Sequence, residues 1–390
     1  MPNFVQLYKS TDLNAPVLTG QTGSMVALLD ALLVNGYTTA SVSSITRSGS
    51  TVTVTLAVAN TTMVTGDRTL ISGAVETDYN GVWQITVISS TVFTFNIGVL
   101  TPTSPATGTI LYRKAPLAWA KTYSGTNKAV YRSADAASNR FYLRVLDTGA
   151  TAGAAKEAAV WAAESMSDVD TGTNLFPTSA QMINGLCWTK SSTADATARN
   201  WTLVGDDKTF YLVVSATNTA ATSFLYAFGH FNSFKSGDGF NTFIAGPVTF
   251  NSASPSVYGL TGCVLLSNTP NPSPGLYVAR SYTQTGGSIN PGNVVPGNPS
   301  GTLGASALIA YPNAVDNGLY VGALNVVESS SGAPFRGRFP GIYAPLHQTP
   351  LSNYDVATNV VGLTGASLIA LTASNSSGTG QVFIDTVGPW

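Results

Sequence analysis

Paired carboxylates are the residues of this 390-residue sequence that come closest to the requirements of catalysis or metal binding. Asp168 and Asp170 stand in Ser-Asp-Val-Asp-Thr-Gly. Two carboxylates suffice for a glycosidase. The spacing loosely resembles the start of a calcium loop, but the later calcium ligands are missing. Aspartates in such turns usually accept hydrogen bonds from their own backbone. A turn is therefore the leading interpretation, a weak calcium site is the first alternative, and catalysis is the second. We expect Asp206 and Asp207 to form a solvated hairpin tip.

Nucleophilic, phosphate-binding and zinc chemistry find no support in the sequence. His230 and His347 stand in no recognisable motif, and neither a Gly-x-Ser-x-Gly elbow nor a glycine-rich phosphate loop occurs. The two cysteines, Cys187 and Cys263, have no zinc spacing. We expect both to be free, buried thiols, with one long-range disulfide as the alternative. The sequence thus predicts no catalytic residue, no cofactor and no metal beyond the weak calcium candidate.

Aromatic side chains concentrate in the middle third of the chain. Phe224, Tyr226 and Phe228 alternate as they would on one face of a β-strand. Core packing is the simplest interpretation. A subunit interface is the second, because aromatic residues are enriched at interfaces, and a sugar-stacking platform is the third.

Arg336 and Arg338 flank Gly337 in a chain where charge is scarce. A guanidinium can fork onto a carboxylate or bind several carbonyls. We expect a proline-stiffened loop whose two arginines, followed by His347, anchor the C-terminal hairpins or a neighbouring subunit. A solvated loop is the alternative.

Charge is the unusual feature of the composition. Asp, Glu, Lys and Arg make up 9% of the residues, with a net charge of -1, where an ordinary domain carries roughly 25%. The hydrophobic fraction of 44% argues against disorder. So few basic residues provide no stripe for nucleic acid, and weak repulsion between copies favours self-association. No apolar run reaches the ~18 residues of a membrane span, and the first residues do not resemble a secretory signal.

Turn residues and short apolar runs predict a mainly β fold: a β-sandwich or jelly-roll-like host domain with few short helices, plus a small inserted β-sandwich or barrel module. Helices are predicted over residues 24–36, 154–166 and 178–185 from caps and apolar spacing. Two apolar runs within residues 201–214 predict a hairpin.

Three units follow from these patterns. Residues 40–112 contain repeated strand and turn signals and interrupt a host domain made of residues 1–39 and 113–250. Residues 251–390 hold a weak repeat of strand, polar turn and strand, which predicts stacked hairpins packed on the host domain.

Three segments of the inserted region read Thr65-Gly-Asp-Arg-Thr-Leu-Ile-Ser-Gly-Ala, Tyr79-Asn-Gly-Val-Trp-Gln-Ile-Thr-Val and Thr91-Val-Phe-Thr-Phe. Together they resemble a small β module that is common in virion proteins of tailed bacteriophages. The host sequence resembles a family of phage virion proteins of unassigned role. Its matching pieces begin at Gly23, Tyr123, Phe141, Ser167, Arg336 and Phe383.

The resemblance implies a non-enzymatic structural protein of the virion, with a tail or baseplate component as the leading subclass. A capsid decoration protein and a receptor- or glycan-binding spike are the alternatives. The implied partners are copies of the chain itself, as a homo-oligomer, and other virion proteins. Nucleic acid binding and membrane insertion are not expected, whereas the spike alternative adds a host surface glycan.

Overall fold

The computed structural model describes residues 4–149, 154–182, 185–218, 223–246, 275–295, 309–328, 334–347, 350–375 and 378–390. These residues form four antiparallel sheets with little helix, so the prediction of a mainly β fold is confirmed. Among the described residues, no helix is long and apolar enough to cross a membrane.

The N-terminal segment supplies one edge strand and the main helix. Strand β1 spans Gln6–Lys9, helix α1 spans Ser24–Leu29, and a π-helical turn continues over Asp30–Asn35. The helix predicted for residues 24–36 is thus present, and its leucines are buried. Gly36 ends it with a φ of 71°, and a Cβ there would lie 2.4 Å from the carbonyl oxygen of Lys114, so both conformation and space require glycine.

The inserted segment forms one seven-stranded sheet, the insert sheet, in the order β5-β4-β8-β2-β3-β7-β6. Its strands are β2 (Tyr37–Ser48), β3 (Thr51–Leu56), β4 (Arg68–Ala74), β5 (Gly81–Gln84), β6 (Thr86–Ser89), β7 (Val92–Asn96) and β8 (Gly108–Lys114). Ala40 pairs directly with Tyr112, so the chain leaves and re-enters the host at adjacent positions. The sheet encloses its own core, which includes Ile71 and Phe93.

Because the insert sheet has its own core, we expect residues 37–114 to fold when they are expressed alone and to give a dispersed NMR spectrum. Phe93→Ala should unfold the isolated segment, because truncating a buried Phe costs ~3–5 kcal/mol, a large share of a small domain's stability. Val99→Ala is the matched control, since Val99 is 96% exposed. An unfolded wild-type spectrum would show that the segment depends on the host.

The host domain holds two further sheets. The flanking sheet contains β9 (Trp119–Gly125), β10 (Lys128–Ser133), β11 (Tyr142–Leu146), β12 (Glu157–Met166), β13 (Gly172–Phe176) and β14 (Leu186–Thr189). The central sheet contains β1 with β15 (Asn200–Gly205), β16 (Thr209–Ser215), β17 (Ser223–His230), β19 (Thr242–Ala245) and β20 (Leu276–Val278). The short strand β18 (Asn232–Ser233) belongs instead to the sheet formed by the C-terminal residues, described below. The hairpin predicted within residues 201–214 is β15–β16 and is confirmed.

Two of the predicted helices are wrong. Residues 157–166 form strand β12, which pairs with β11 on one side and with β13 and β14 on the other. Its alanines are buried on both faces, and a buried strand of this kind has no alternation that distinguishes it from a helix. In the segment 178–185, the described part makes a single turn, in which the carbonyl of Thr178 accepts hydrogen bonds from the N–H groups of Gln181 and Met182.

The C-terminal residues form the fourth sheet, the C-terminal sheet, with strands β21 (Gly292–Val294), β22 (Val321–Val327), β23 (Phe335–Pro345), β24 (Val356–Ala357), β25 (Leu368–Asn375) and β26 (Gly378–Asp385). The third predicted repeat, which covers residues 365–384, contains the hairpin β25–β26. Of the first repeat, residues 262–266, including Cys263, lie outside the described residues, whereas its second half contains β20, which belongs to the central sheet. The proline-stiffened loop predicted around Arg336 is instead strand β23, whose Pro340 falls where the β22–β23 pairing is interrupted.

The flanking sheet, the central sheet and the C-terminal sheet stack as three layers, with the central sheet in the middle. One of its faces packs Phe210, Leu212 and Tyr226 against α1 and the flanking sheet. Its other face packs Tyr211 and Leu225 against residues of the C-terminal sheet. Both faces of the central sheet are therefore buried inside the chain.

Candidate functional site

The arginine pair chosen from the sequence divides into one buried and one exposed residue. Arg336 is 3% exposed, whereas Arg338 is exposed and lies over the ring of Phe234. Arg338 also lines an open groove of about 430 Å³ between β22 and β23. Of the two arginines, only Arg338 is therefore accessible to a partner.

Arg336 holds together segments that are distant in the sequence. Its Nε and Nη2 donate to the two carboxylate oxygens of Asp238 at 3.2 Å, and its Nη1 donates to Oε1 of Glu328 at 2.9 Å. The carbonyls of Phe240 and Arg280 also accept from this guanidinium. These contacts join β23 to the loop before β19 and to the end of β20, so the central and C-terminal sheets are fastened together here.

The electrostatics of the two carboxylates follow from this burial. Burial alone would raise the pKa of Asp238, but hydrogen bonds from Arg336 and Ser233 bring it below its ordinary value. Burial raises the pKa of Glu328 despite the neighbouring guanidinium. The arrangement is an internal anchor, because every carboxylate it contains already faces the same arginine.

The aromatic stripe lies in the core. Phe224, Tyr226 and Phe228 are each at most 1% exposed, and Tyr226 stacks on Trp188 with ring centroids 5.3 Å apart. The hydroxyl of Tyr226 donates to the carbonyl of Thr189. These rings are covered by the chain itself, so they offer no surface to another subunit or to a sugar in this fold.

Asp168 and Asp170 make a turn and an ion-pair cluster. Oδ1 of Asp168 accepts from the N–H groups of Asp170 and Thr171 at 2.7 and 2.9 Å. The carboxylate of Asp170 faces Lys128 and Arg144, whose hydrogen bonds lower its pKa. Among the described residues, no group of three or more His, Cys, Asp or Glu side chains is placed to hold a metal.

The ring of His347 is held by two backbone groups. His347 is 1% exposed, its Nε2 accepts from the N–H of Tyr320 at 2.9 Å, and the carbonyl of Ala310 therefore receives the Nδ1 proton. Burial, aided by Lys208, lowers the pKa of His230 to about 4. Cys187 is buried and free, and burial raises the pKa of its thiol.

The expectation of a solvated tip at Asp206 and Asp207 is wrong. Asp206 is 2% exposed, and its Oδ1 accepts from the N–H groups of Lys208 and Thr209 at 2.8 and 2.7 Å. Its carbonyl accepts from the indole of Trp119. The turn is covered because Trp119 and the neighbouring host residues pack on it, which a local sequence pattern cannot indicate.

A pH dependence follows from Asp206. Burial raises its pKa to about 6 from an ordinary 3.8. The folded state then binds more protons than the unfolded state between these values, so the contribution of Asp206 to stability falls as pH rises from about 4 to about 6. The change is on the order of 3 kcal/mol. Asp206→Asn keeps the acceptor and removes the titration.

Urea unfolding of wild type and Asp206→Asn at pH 4, 5, 6 and 7 measures this effect. We expect the variant to gain stability relative to wild type as pH rises through that interval. Parallel pH profiles would contradict the assignment.

The sequence patterns do not predict a group of exposed aliphatic side chains at the outer end of the insert sheet. Val99 is 96% exposed, Val75 69% and Leu100 41%. They lie beside the Ser50 turn and the start of β8, at the end of the sheet opposite Ala40 and Tyr112. The sequence feature that indicates them is a pair of adjacent aliphatic residues in an uncharged loop, Asn96 to Pro102.

No family model matches the chain, and no curated protein sequence matches it.

Proposed function

We propose that this chain is a non-enzymatic structural protein of a tailed-phage virion, most readily a tail or baseplate component, that acts by assembling with copies of itself and with other virion proteins. The observation that carries the proposal is the group of exposed aliphatic side chains, Val75, Val99 and Leu100, at the outer end of the insert sheet. It projects from a host body at a site where the chain leaves and re-enters side by side. Such a projection is suited to contact a neighbour.

The distribution of charge supports the same proposal. Several of the scarce cations are paired inside the chain: Lys190 pairs with Asp147, Arg336 with Asp238 and Arg280 with Glu164. Few charges remain to repel an identical copy, and contacts through apolar and hydroxyl side chains are favoured. The resemblance of its segments to phage virion proteins supplies the particle in which such contacts would be made.

Fractionated particles test the place of the protein. Tails and capsids from the phage that encodes this chain would be separated on a gradient, and the chain quantified in each fraction by mass spectrometry. We expect it in the tail fraction. Recovery with capsids would favour the decoration alternative, and its complete lack from purified particles would overturn the proposal.

Self-association provides a second prediction. Val99→Ser with Leu100→Ser should shift the sedimentation of purified protein toward smaller species, because the exposed aliphatic area at the outer end is reduced. Val315→Ser is the matched control, since Val315 is 92% exposed but belongs to the C-terminal part. Equal shifts in both variants, or none in either, would contradict a contact at the outer end.

A further inference from the structure

A cavity of about 330 Å³ lies between the insert sheet and the host domain. Strands β4 and β5 form one side, and the segments after β8 and β10, together with the β15–β16 turn, form the other. Most of its lining is apolar, with four polar side chains. The lining residues are Phe4, Gln6, Arg68, Val82, Pro116, Leu117, Ala118, Ala134, Asp135, Ala136 and Asp207.

Arg68 is the unusual member of this lining. It is 7% exposed, and among the described residues no carboxylate lies within salt-bridge distance. Its Nε is buried without a hydrogen-bond partner, and its guanidinium lies over the ring of Phe4. Burial lowers its pKa to about 10, so it is still charged at neutral pH. A buried cation without an anion is costly, and an anionic ligand would remove that cost.

Asp207 supplies the complementary group on the host side. Its Oδ1 is buried without a hydrogen-bond partner. The neighbouring Asp135 already has partners, because its Oδ1 accepts from the N–H of Ala137 and its Oδ2 contacts Nζ of Lys208 at 2.9 Å. The free acceptor in the cavity is therefore that of Asp207, and a hydroxyl group of a ligand could donate to it.

We propose that this cavity binds a carboxylate-bearing saccharide unit, the chemistry of a uronic acid. The ligand carboxylate would pair with the guanidinium of Arg68, and a ring hydroxyl would donate to Asp207. The C–H face of the ring would pack on Leu117, Pro116 and Val82. The volume suits one such unit, being at the small end of ligand cavities. The two carboxylates on the host side disfavour a doubly charged phosphate. This inference does not depend on the proposed place in a virion.

Titration calorimetry of the full chain with glucuronate, glucose and cyclohexanecarboxylate at fixed ionic strength tests the proposal. Glucuronate should bind at least about tenfold more tightly than either of the others, because only glucuronate has both a carboxylate and hydroxyls. Arg68→Met should weaken glucuronate binding at least about tenfold. The variant is expected to fold, since it removes an unpaired buried charge without emptying the site.

Two further variants sharpen the result. Asp207→Ala should weaken glucuronate binding and leave cyclohexanecarboxylate binding unchanged. Arg47→Met is the matched control, because Arg47 lies at the outer end of the same sheet and bonds the carbonyls of Gly49 and Pro102. Lack of glucuronate binding, equal binding of glucose, or binding unaffected by Arg68→Met would overturn the proposal. Equal binding of cyclohexanecarboxylate would overturn the saccharide assignment. The particle fractionation that tests the proposed function is independent of all these binding results.

Discussion

Replacing Arg336 with alanine is expected to lower the free energy of unfolding by about 3–5 kcal/mol, because it leaves two buried carboxylates without their cation. Asp238 and Glu328 have side chains only 1% and 8% exposed, and both face this guanidinium. The loss should appear in urea unfolding of the full chain. Hydrogen exchange should accelerate in β22 and β23, since Arg336 joins these strands to the central sheet.

Arg338→Ala provides the control for this prediction. Arg338 stands on the same strand two residues away, but it is exposed and contacts only the ring of Phe234 among the interactions described above. An exposed contact of this kind contributes less than about 1 kcal/mol. Arg336→Lys should lower the free energy of unfolding by an intermediate amount, because lysine keeps the charge but lacks the several N–H donors of the planar guanidinium. Similar losses for Arg336→Ala and Arg338→Ala would contradict the buried anchor.

Patterns that depend on neighbouring residues were readable from the sequence. The hairpin of residues 201–214 has two apolar runs around a polar turn, and β15–β16 follows it residue by residue. The helix at Ser24 has a leucine stripe and a glycine stop. In contrast, the alanine-rich strand β12 has small apolar residues on both faces, so nothing in its pattern separates it from a helix.

The candidate site was less predictable, because burial of a charge depends on what covers it. Arg336 and Arg338 have the same residue type and stand two residues apart on β23. Asp238 and the carbonyl of Arg280, which lie 98 and 56 residues from Arg336 in the sequence, cover only Arg336. Asp206 is similar, since the indole that packs on its turn belongs to Trp119, 87 residues away. Local composition identifies the charged residues but not their partners.

Replacing Lys190 with methionine is expected to cost about 3–5 kcal/mol as well. Lys190 and Asp147 are fully buried, with Nζ and Oδ1 2.5 Å apart, and the carbonyl of Gln21 is a second acceptor for the ammonium. Burial lowers the pKa of Lys190 and raises that of Asp147 to about 6, so burial opposes the charged form of each group and their pairing counteracts it. Oδ2 of Asp147 accepts from the N–H of Met25 at 2.8 Å, so the pair also fixes the first turn of α1.

A double-mutant cycle separates the charge from the cap. Asp147→Asn added to Lys190→Met removes the unpaired buried charge and keeps an acceptor for the N–H of Met25, so we expect it to recover much of the stability lost in Lys190→Met alone. Lys121→Met is the control, because Lys121 and Asp30 form a pair with side chains 30% and 22% exposed, for which about 0–1 kcal/mol is expected. Urea unfolding of wild type, Lys190→Met, Asp147→Asn and the double variant gives the coupling energy. A double variant as unstable as the sum of its single variants would mean that the pair does not act as a unit, and that α1 depends on Lys190 through packing instead of charge.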